Sequence, residues 1–421
     1  MSLRSMILKN ARILELDPPA VREGELHIEE GLVVSQGSGP ELDLGGAWVM
    51  PGLVNAHTHL YSALACGMPL PAHPPETFTR MLEQVWWRLD QAHDQDSVEV
   101  SALVGGLAAL RAGVTTVIDH HASPRAITGS LERVDGALAT LGLRRVLCYE
   151  VSDRHGRAGA LEGIRAHERL LGERGPSRGV LVGMHAAFTL SDESIRDCVS
   201  LARSAGVGVH IHLAESIDDL QAGPPLARLQ SLGALLPGSI FAHGVHLEAG
   251  DRARLEESGA WLSHQARSNM NNGVGQADHG RYPSRTALGT DGIGSDMLAE
   301  LQTAVFRANE RPGSWGLSRL VQALADGARL ASAQLGLPLG RLQPGQAADL
   351  VVLDPCPGPP LTEDNLAAAL VFRLSSQQVR HVMVDGQWRL WDRQPTGLDP
   401  AELDRWAQQT SLNLWSRMAA G

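Results

Sequence analysis

Cysteine is scarce, positive charge is in deficit and long apolar runs are missing from this 421-residue chain. Its four cysteines, Cys66, Cys148, Cys198 and Cys356, stand far apart and form no CxxC pair. A disulfide scaffold and a cysteine-type zinc motif are thereby excluded, and a reducing, cytoplasmic setting is expected. With 36 basic against 47 acidic side chains the net charge is −11. Nucleic-acid binders concentrate the opposite sign, so no nucleic-acid partner is expected and a small neutral or cationic molecule is. No segment offers the ~18 uninterrupted apolar residues of a membrane helix. Met1 to Asn10 lack the basic flank and apolar run of a signal peptide, so no membrane role is expected. Aromatic residues make up only 4% of the chain, but the hydrophobic fraction is an ordinary 43%. A chain of this size buries about three-quarters of its unfolded surface, enough for a large core without staples.

What is present has two textures. From Met6 to Trp48 apolar and polar residues alternate over short stretches punctuated by glycine, which predicts small antiparallel strands. Beyond Pro51-Gly52, apolar runs followed by helical stretches repeat many times, the mark of parallel βαβ units. Eight buried strands are predicted at Gly52–Ala56, Thr115–Asp119, Arg145–Glu150, Gly179–Met184, Val207–His212, Ser239–Ala242, Trp261–Ser263 and Ala287–Thr290. Eight such units favour an α/β fold of the closed (β/α)8 TIM-like type over an open sheet. Alternation returns after Gly345, so both chain ends are expected to build one small β-sandwich. The predicted division is residues 1–51 and 343–421 for that unit, with a closing helix from Pro400 to Met418, and 52–342 for the barrel. The loop after the first strand carries Pro69, Pro71, Pro74 and Pro75 before a predicted helix, Glu76 to Leu89, and reads as a lid. Trp86 and Trp87 in that helix are expected to serve packing.

The chemistry-bearing residues gather at predicted strand ends. His57-Thr58-His59 follows an apolar strand, and period-two alternation turns both imidazoles the same way, where they can reach one cation. His210-Ile211-His212-Leu213-Ala214-Glu215 repeats the device and adds a carboxylate; His212 is the better ligand, His210 a core residue, and Glu215 a general-acid position. His243 ends the sixth strand and Asp291 the eighth. Barrel active sites are assembled from such C-terminal strand ends. His120 and His121, after the second strand, either bind a polar heterocycle or orient ligands. Arg267, Asn269 and Asn272 offer hydrogen bonds to a planar ring, Glu150 is a pocket or structural residue, and His27, His93, His155, His167, His279 and His381 are expected at the surface or in loops.

At these residues the sequence resembles the amidohydrolase superfamily, in its branch of cytosine-deaminase-like enzymes and triazine hydrolases. Trp86 to Asp90, Val117 to Pro124, Ala266 to Asn272 and Leu288 to Met297 are most similar to the SsnA-type aminohydrolases. The resemblance implies metal ligands His57, His59, His212 and Asp291, with Glu215, His243 and Asp291 as catalytic groups and His185 facing substrate. Gln265 departs from the Asn more common in the branch, which puts local substrate contacts there in doubt. Two-metal relatives bridge their ions with a carboxylated lysine, but the only lysine here is Lys9, in the first β segment. One divalent ion is therefore expected, zinc first, with Fe2+ and Mn2+ suiting the same donors. The implied activity is deamination of a purine- or pterin-like heterocycle by an activated water. Its alternatives are dechlorination or ring-amide hydrolysis at the same site, or a non-catalytic scaffold. A homo-oligomer is the general expectation for such an enzyme.

Overall fold

A computed structural model describes residues 5–69, 73, 75–221 and 223–420; Pro71 and Pro74 lie outside them. Eight barrel strands run through Leu53–Thr58, Val114–His121, Arg144–Tyr149, Val182–Ala186, Val209–Leu213, Ile240–His243, Trp261–His264 and Thr286–Leu288. The first three pair in parallel, as do the fourth to eighth. The first and eighth strands are joined by a bridge, Thr58 to Asp291, and the third and fourth by a bridge, Val151 to Met184, and by Arg178–Val180, which leads into the fourth strand and pairs in parallel with the third. Every residue of these strands is buried. That fits parallel strands covered by side chains inside and helices outside.

The connecting helices are bounded by local signals. Asp192–Ala205 opens on Ser191, whose hydroxyl accepts the Ser194 N–H, and stops at Gly206 with φ 65°. The seam between the third and fourth strands is filled by a side chain. His167 Nε2 accepts the N–H groups of Tyr149 and Gly183, each at 2.9 Å, while Nδ1 donates to Gly163 O. His167 is thus fully buried instead of lying at the surface. His93, His279 and His381 are buried as well, each occupied by packing or by a hydrogen bond that period counting does not reveal.

Strands from both chain ends form one nine-stranded sheet, joined where Trp48–Pro51 runs antiparallel to Leu350–Leu353. Alternation sorts its residues between two cores. Val49, Leu350 and Val352 face a small cluster inside the β unit, whereas Trp48, Met50, Val351 and Leu353 face the barrel's main core. The junction also holds an ion pair: Arg144 Nε and Nη2 meet Asp349 Oδ2 and Oδ1 at 2.7 and 2.9 Å, both residues buried.

The excursion after the first strand begins its helix at Phe78, because Thr77 caps it by accepting the Arg80 N–H. Leu82–Trp86 forms a π-helical turn before Trp87–Ala92 completes the helix. The final helix, Pro400–Ala420, packs on helix Gln95–Arg111 and on this excursion, not on the sheet it was expected to close. Trp415 Nε1 donates to Leu64 O at 2.9 Å, Arg417 Nε to Ala92 O at 2.6 Å and Arg88 Nη2 to Met418 O at 2.5 Å. Among the described residues no helix is long and apolar enough to cross a membrane.

Candidate metal centre and active site

Strand ends carry the site, and three of its residues have left-handed backbones: Ala214 at φ 47°, His243 at 76° and Asp291 at 57°. Each such conformation costs about 1–3 kcal/mol and persists only where the surroundings impose it. At Asp291 the imposition is visible. His57 O accepts the N–H groups of both Thr290 and Asp291 at 3.0 Å. A Cβ on Gly289 would lie 2.7 Å from His57 N, so only glycine lets the eighth strand come this close to the first.

The six residues expected to do chemistry converge. His59 Nε2 lies 3.1 Å from His212 Nε2 and 3.1 Å from Asp291 Oδ1. His57 Nε2 lies 3.8 Å from the same oxygen. His243 Nε2 is 3.5 Å from Glu215 Oε2 and 3.9 Å from Asp291 Oδ2. All are buried except Asp291, which is nearly so.

The outer nitrogens of these rings are committed. His59 Nδ1 donates to His120 O at 2.6 Å, His212 Nδ1 to His185 O at 2.7 Å and His57 Nδ1 to His210 Nε2 at 2.9 Å. Rings so held bring His59 Nε2 and His212 Nε2 together, and leave His57 Nε2 buried without a hydrogen-bond partner. Two imidazole nitrogens at such range share a proton, or a cation that displaces it. His57, His59 and Asp291 offer ligand atoms within 4.8 Å of one another, as do His57, His212 and His243, and imidazole nitrogens with a carboxylate oxygen are the kind of donors a divalent ion such as zinc takes.

Electrostatics agree. Burial, reinforced by neighbouring rings, pushes His57 and His212 well below their ordinary pKa, the neutral form a ligand needs. His59 alone goes up, to about 9: burial opposes its charge, but Asp291 outweighs burial. Burial likewise works against charge on Asp291, yet His59 and its neighbours hold that carboxyl below the usual range. Burial, then Asp291 and Asp219, raise Glu215 well above the carboxylate range, which favours its protonated form.

Glu150 joins a second group with His59, His120 and His212. Arg154 Nη2 already binds its carboxylate at 2.8 Å and His120 Nδ1 lies 3.3 Å away, so it is a paired wall residue.

A cavity of about 640 Å3, counting its open mouth, lies over the cluster. That is within the usual span for small ligands, ~300–1,000 Å3. Tyr61, Phe78, Trp86, Trp87 and Phe188 make its aromatic wall, and His185 lines it as expected. The two tryptophans therefore face the cavity instead of serving only as packing. His120, His121, Arg267 and Asn269 do not line it. His120 points into the barrel, donating through Nε2 to His210 O at 3.2 Å, and His121 turns to the other face toward Ser123. Asn269 Oδ1 accepts the His243 Nδ1–H at 2.8 Å. On helix Ala266–Asn271 and its C-cap it is Ser268 and Asn272 that line the cavity. Ser268 Oγ donates to Asp291 Oδ2, and Asn272 Nδ2 reaches Glu215 Oε1 at 3.4 Å. Their four-residue spacing was the available signal. Gln265 is fully buried beneath His243 and makes no wall of the cavity.

Comparison with known proteins follows the same lines. The description "Amidohydrolase family" matches residues 48–389. A 5-methylthioadenosine/S-adenosylhomocysteine deaminase of Desulfitobacterium hafniense (strain Y51) is 30% identical over 94% of this chain and 95% of its own. A 5'-deoxyadenosine deaminase of Methanosarcina mazei is 28% identical over 99% and 100%. Among solved structures, an adenosine deaminase from Xanthomonas campestris with bound zinc superposes with a TM-score of 0.82 at 22% identity, covering 99% of both chains. Atrazine chlorohydrolase from Arthrobacter aurescens TC1 with zinc does so at 0.79 and 20%, over 97% and 100%. With its family's residues spanning most of its length and relatives aligned nearly end to end, the chain belongs to the amidohydrolase family, hydrolases of carbon–nitrogen bonds other than peptide bonds.

Proposed function

We propose that the protein is a metal-dependent aminohydrolase that removes an exocyclic amino group from a purine-type heterocycle. His57, His59, His212 and Asp291 hold one divalent ion. The observation that carries this reading is the convergence of His57, His59 and Asp291, with His212 Nε2 3.1 Å from His59 Nε2, next to a buried Glu215. Relatives named as deaminases of adenosine-like molecules support the ring class.

When bound, the ion would lower the pKa of a water molecule from ~15.7 toward ~7. Asp291 accepts the proton of the attacking water through Oδ2, where Ser268 already donates. His243 donates from Nδ1 to Asn269, and burial keeps the ring neutral, so Nε2 presents a lone pair to the site. Its role is therefore to accept a hydrogen bond from the water and aim it. Glu215 delivers its proton to a ring nitrogen as oxygen adds to the carbon bearing the amino group. The proton taken by Asp291 then passes to the amino nitrogen, the C–N bond breaks, ammonia leaves, and the hydroxyl's remaining proton returns to Glu215 as the ring carbonyl forms. The aromatic wall encloses a planar ring.

The test is a panel of aminopurines, adenosine-type nucleosides, pterins and chlorotriazines, assayed for ammonia and for chloride. Ammonia from purine-type rings is expected, and Glu215→Gln should cut it about 10²- to 10⁴-fold while metal content holds. Chloride release alone, or near-normal turnover in that variant, would count against the reading.

A further inference from the structure

His243 is held on every polar atom but one. Its N–H donates to Gln265 Oε1 at 2.8 Å, its carbonyl accepts from Tyr282 OH at 2.8 Å and its Nδ1 donates to Asn269 Oδ1 at 2.8 Å. Only Nε2 is left, buried and without a hydrogen-bond partner, beside Glu215 and Asp291.

Two of these holders act on the backbone. Residue 243 ends the sixth strand in a left-handed conformation, φ 76°, which a histidine adopts only under constraint. The turn lifts its N–H off the ladder, whose last sixth-to-seventh pairing is Ala242 with Ser263. The Gln265 side-chain amide takes the place of the lost partner, steadied by its own donation to Ser263 Oγ at 2.6 Å. From the other side Tyr282, 1% exposed, meets the carbonyl while His264 Nδ1 lies 3.1 Å from its hydroxyl. Gln265 and Tyr282 are both buried and neither lines the substrate cavity.

We propose that Gln265 and Tyr282 are positioning residues for the reaction: they hold the peptide groups of His243 in its left-handed state and so aim Nε2 at the reacting water. The proposal rests on the reading of His243 above. It adds a role for two side chains that touch neither substrate nor metal ligands.

A double-mutant cycle tests it. Gln265→Leu keeps the volume and removes the acceptor; Tyr282→Phe removes only the hydroxyl and serves should the leucine variant fold poorly. Misaiming of this kind costs up to about a hundredfold, so kcat should fall about 10- to 100-fold with KM and bound zinc unchanged. A crystal structure of either variant should show His243 leaving the left-handed region. In a His243→Ala background the same substitution should change kcat by less than about twofold, because the group it aims is gone. An equal loss in both backgrounds, where His243→Ala is itself impaired, overturns the positioning role alone. A His243→Ala enzyme with full turnover overturns the reading of His243 and this role with it.

Discussion

Two buried polar clusters sit at opposite conditions in this molecule. At the junction of barrel and sheet, Arg144 meets Asp349 through two hydrogen bonds, gives a third to Pro176 O at 2.8 Å, and Asp349 also receives the Asp385 N–H at 2.9 Å. At the barrel mouth, His57 Nε2 and His243 Nε2 are buried and have no hydrogen-bond partner. Both clusters pay for dehydration, but only the first is repaid within the chain. A buried polar cluster that satisfies itself is architecture; one that leaves atoms aimed at a common point is built for a guest.

That contrast can be broken at either end. The largest effect belongs to the mouth: Asp291→Ala removes the anionic donor, so bound metal should drop to near zero by emission spectrometry and ammonia release to background. Retained metal with measurable turnover would dissolve the distinction. At the junction the consequence should be mechanical. Arg144→Met leaves Asp349 buried without its counter-charge, which should destabilise the fold by about 3–5 kcal/mol in urea titrations while kcat of the folded fraction stays normal. Adding Asp349→Leu should restore most of the loss; no restoration would mean that Arg144 acts through some other contact.

The smallest effect sharpens the mouth's description. Without metal, His59 is raised to about 9 by Asp291 against the opposition of burial. The stabilisation from this pair is complete below the unfolded histidine value, ~6.5, and disappears as pH climbs through about 9. Metal uptake near pH 7.5 should therefore expel about one proton, seen as a buffer-dependent heat in calorimetry, and none well above pH 9. A buffer-independent heat at pH 7.5 would show His59 already neutral.

These regions also differ in how far they can be read from sequence. The mouth is written in short motifs: alternation carries both histidines of His57-Thr58-His59 to one side, and the same period separates His210 from His212 at the end of another strand. The eight strands were legible for a similar reason, each being a compact apolar run. Arg144 and Asp349 lie 205 residues apart and carry no pattern linking them. His167 looked like a solvent-facing helical residue because nothing local tells that a barrel seam needs an acceptor. Asn272 was among the expected contacts, and Ser268, four residues before it, could have been chosen over Arg267 and Asn269 by helical spacing, had the helix start been known. The final helix gave an amphipathic pattern but no address, since its partners are set by three-dimensional proximity to the excursion after the first strand.

That last helix has a bearing on how the enzyme comes into being. During synthesis it leaves the ribosome after all eight staves, yet its hydrogen bonds to Leu64 and Ala92 brace the segment that roofs the cavity. A nascent barrel can thus have its chemistry assembled while its roof still lacks a buttress. Fusions or labels near residue 420 should be felt at substrate entry sooner than at the ligands beneath.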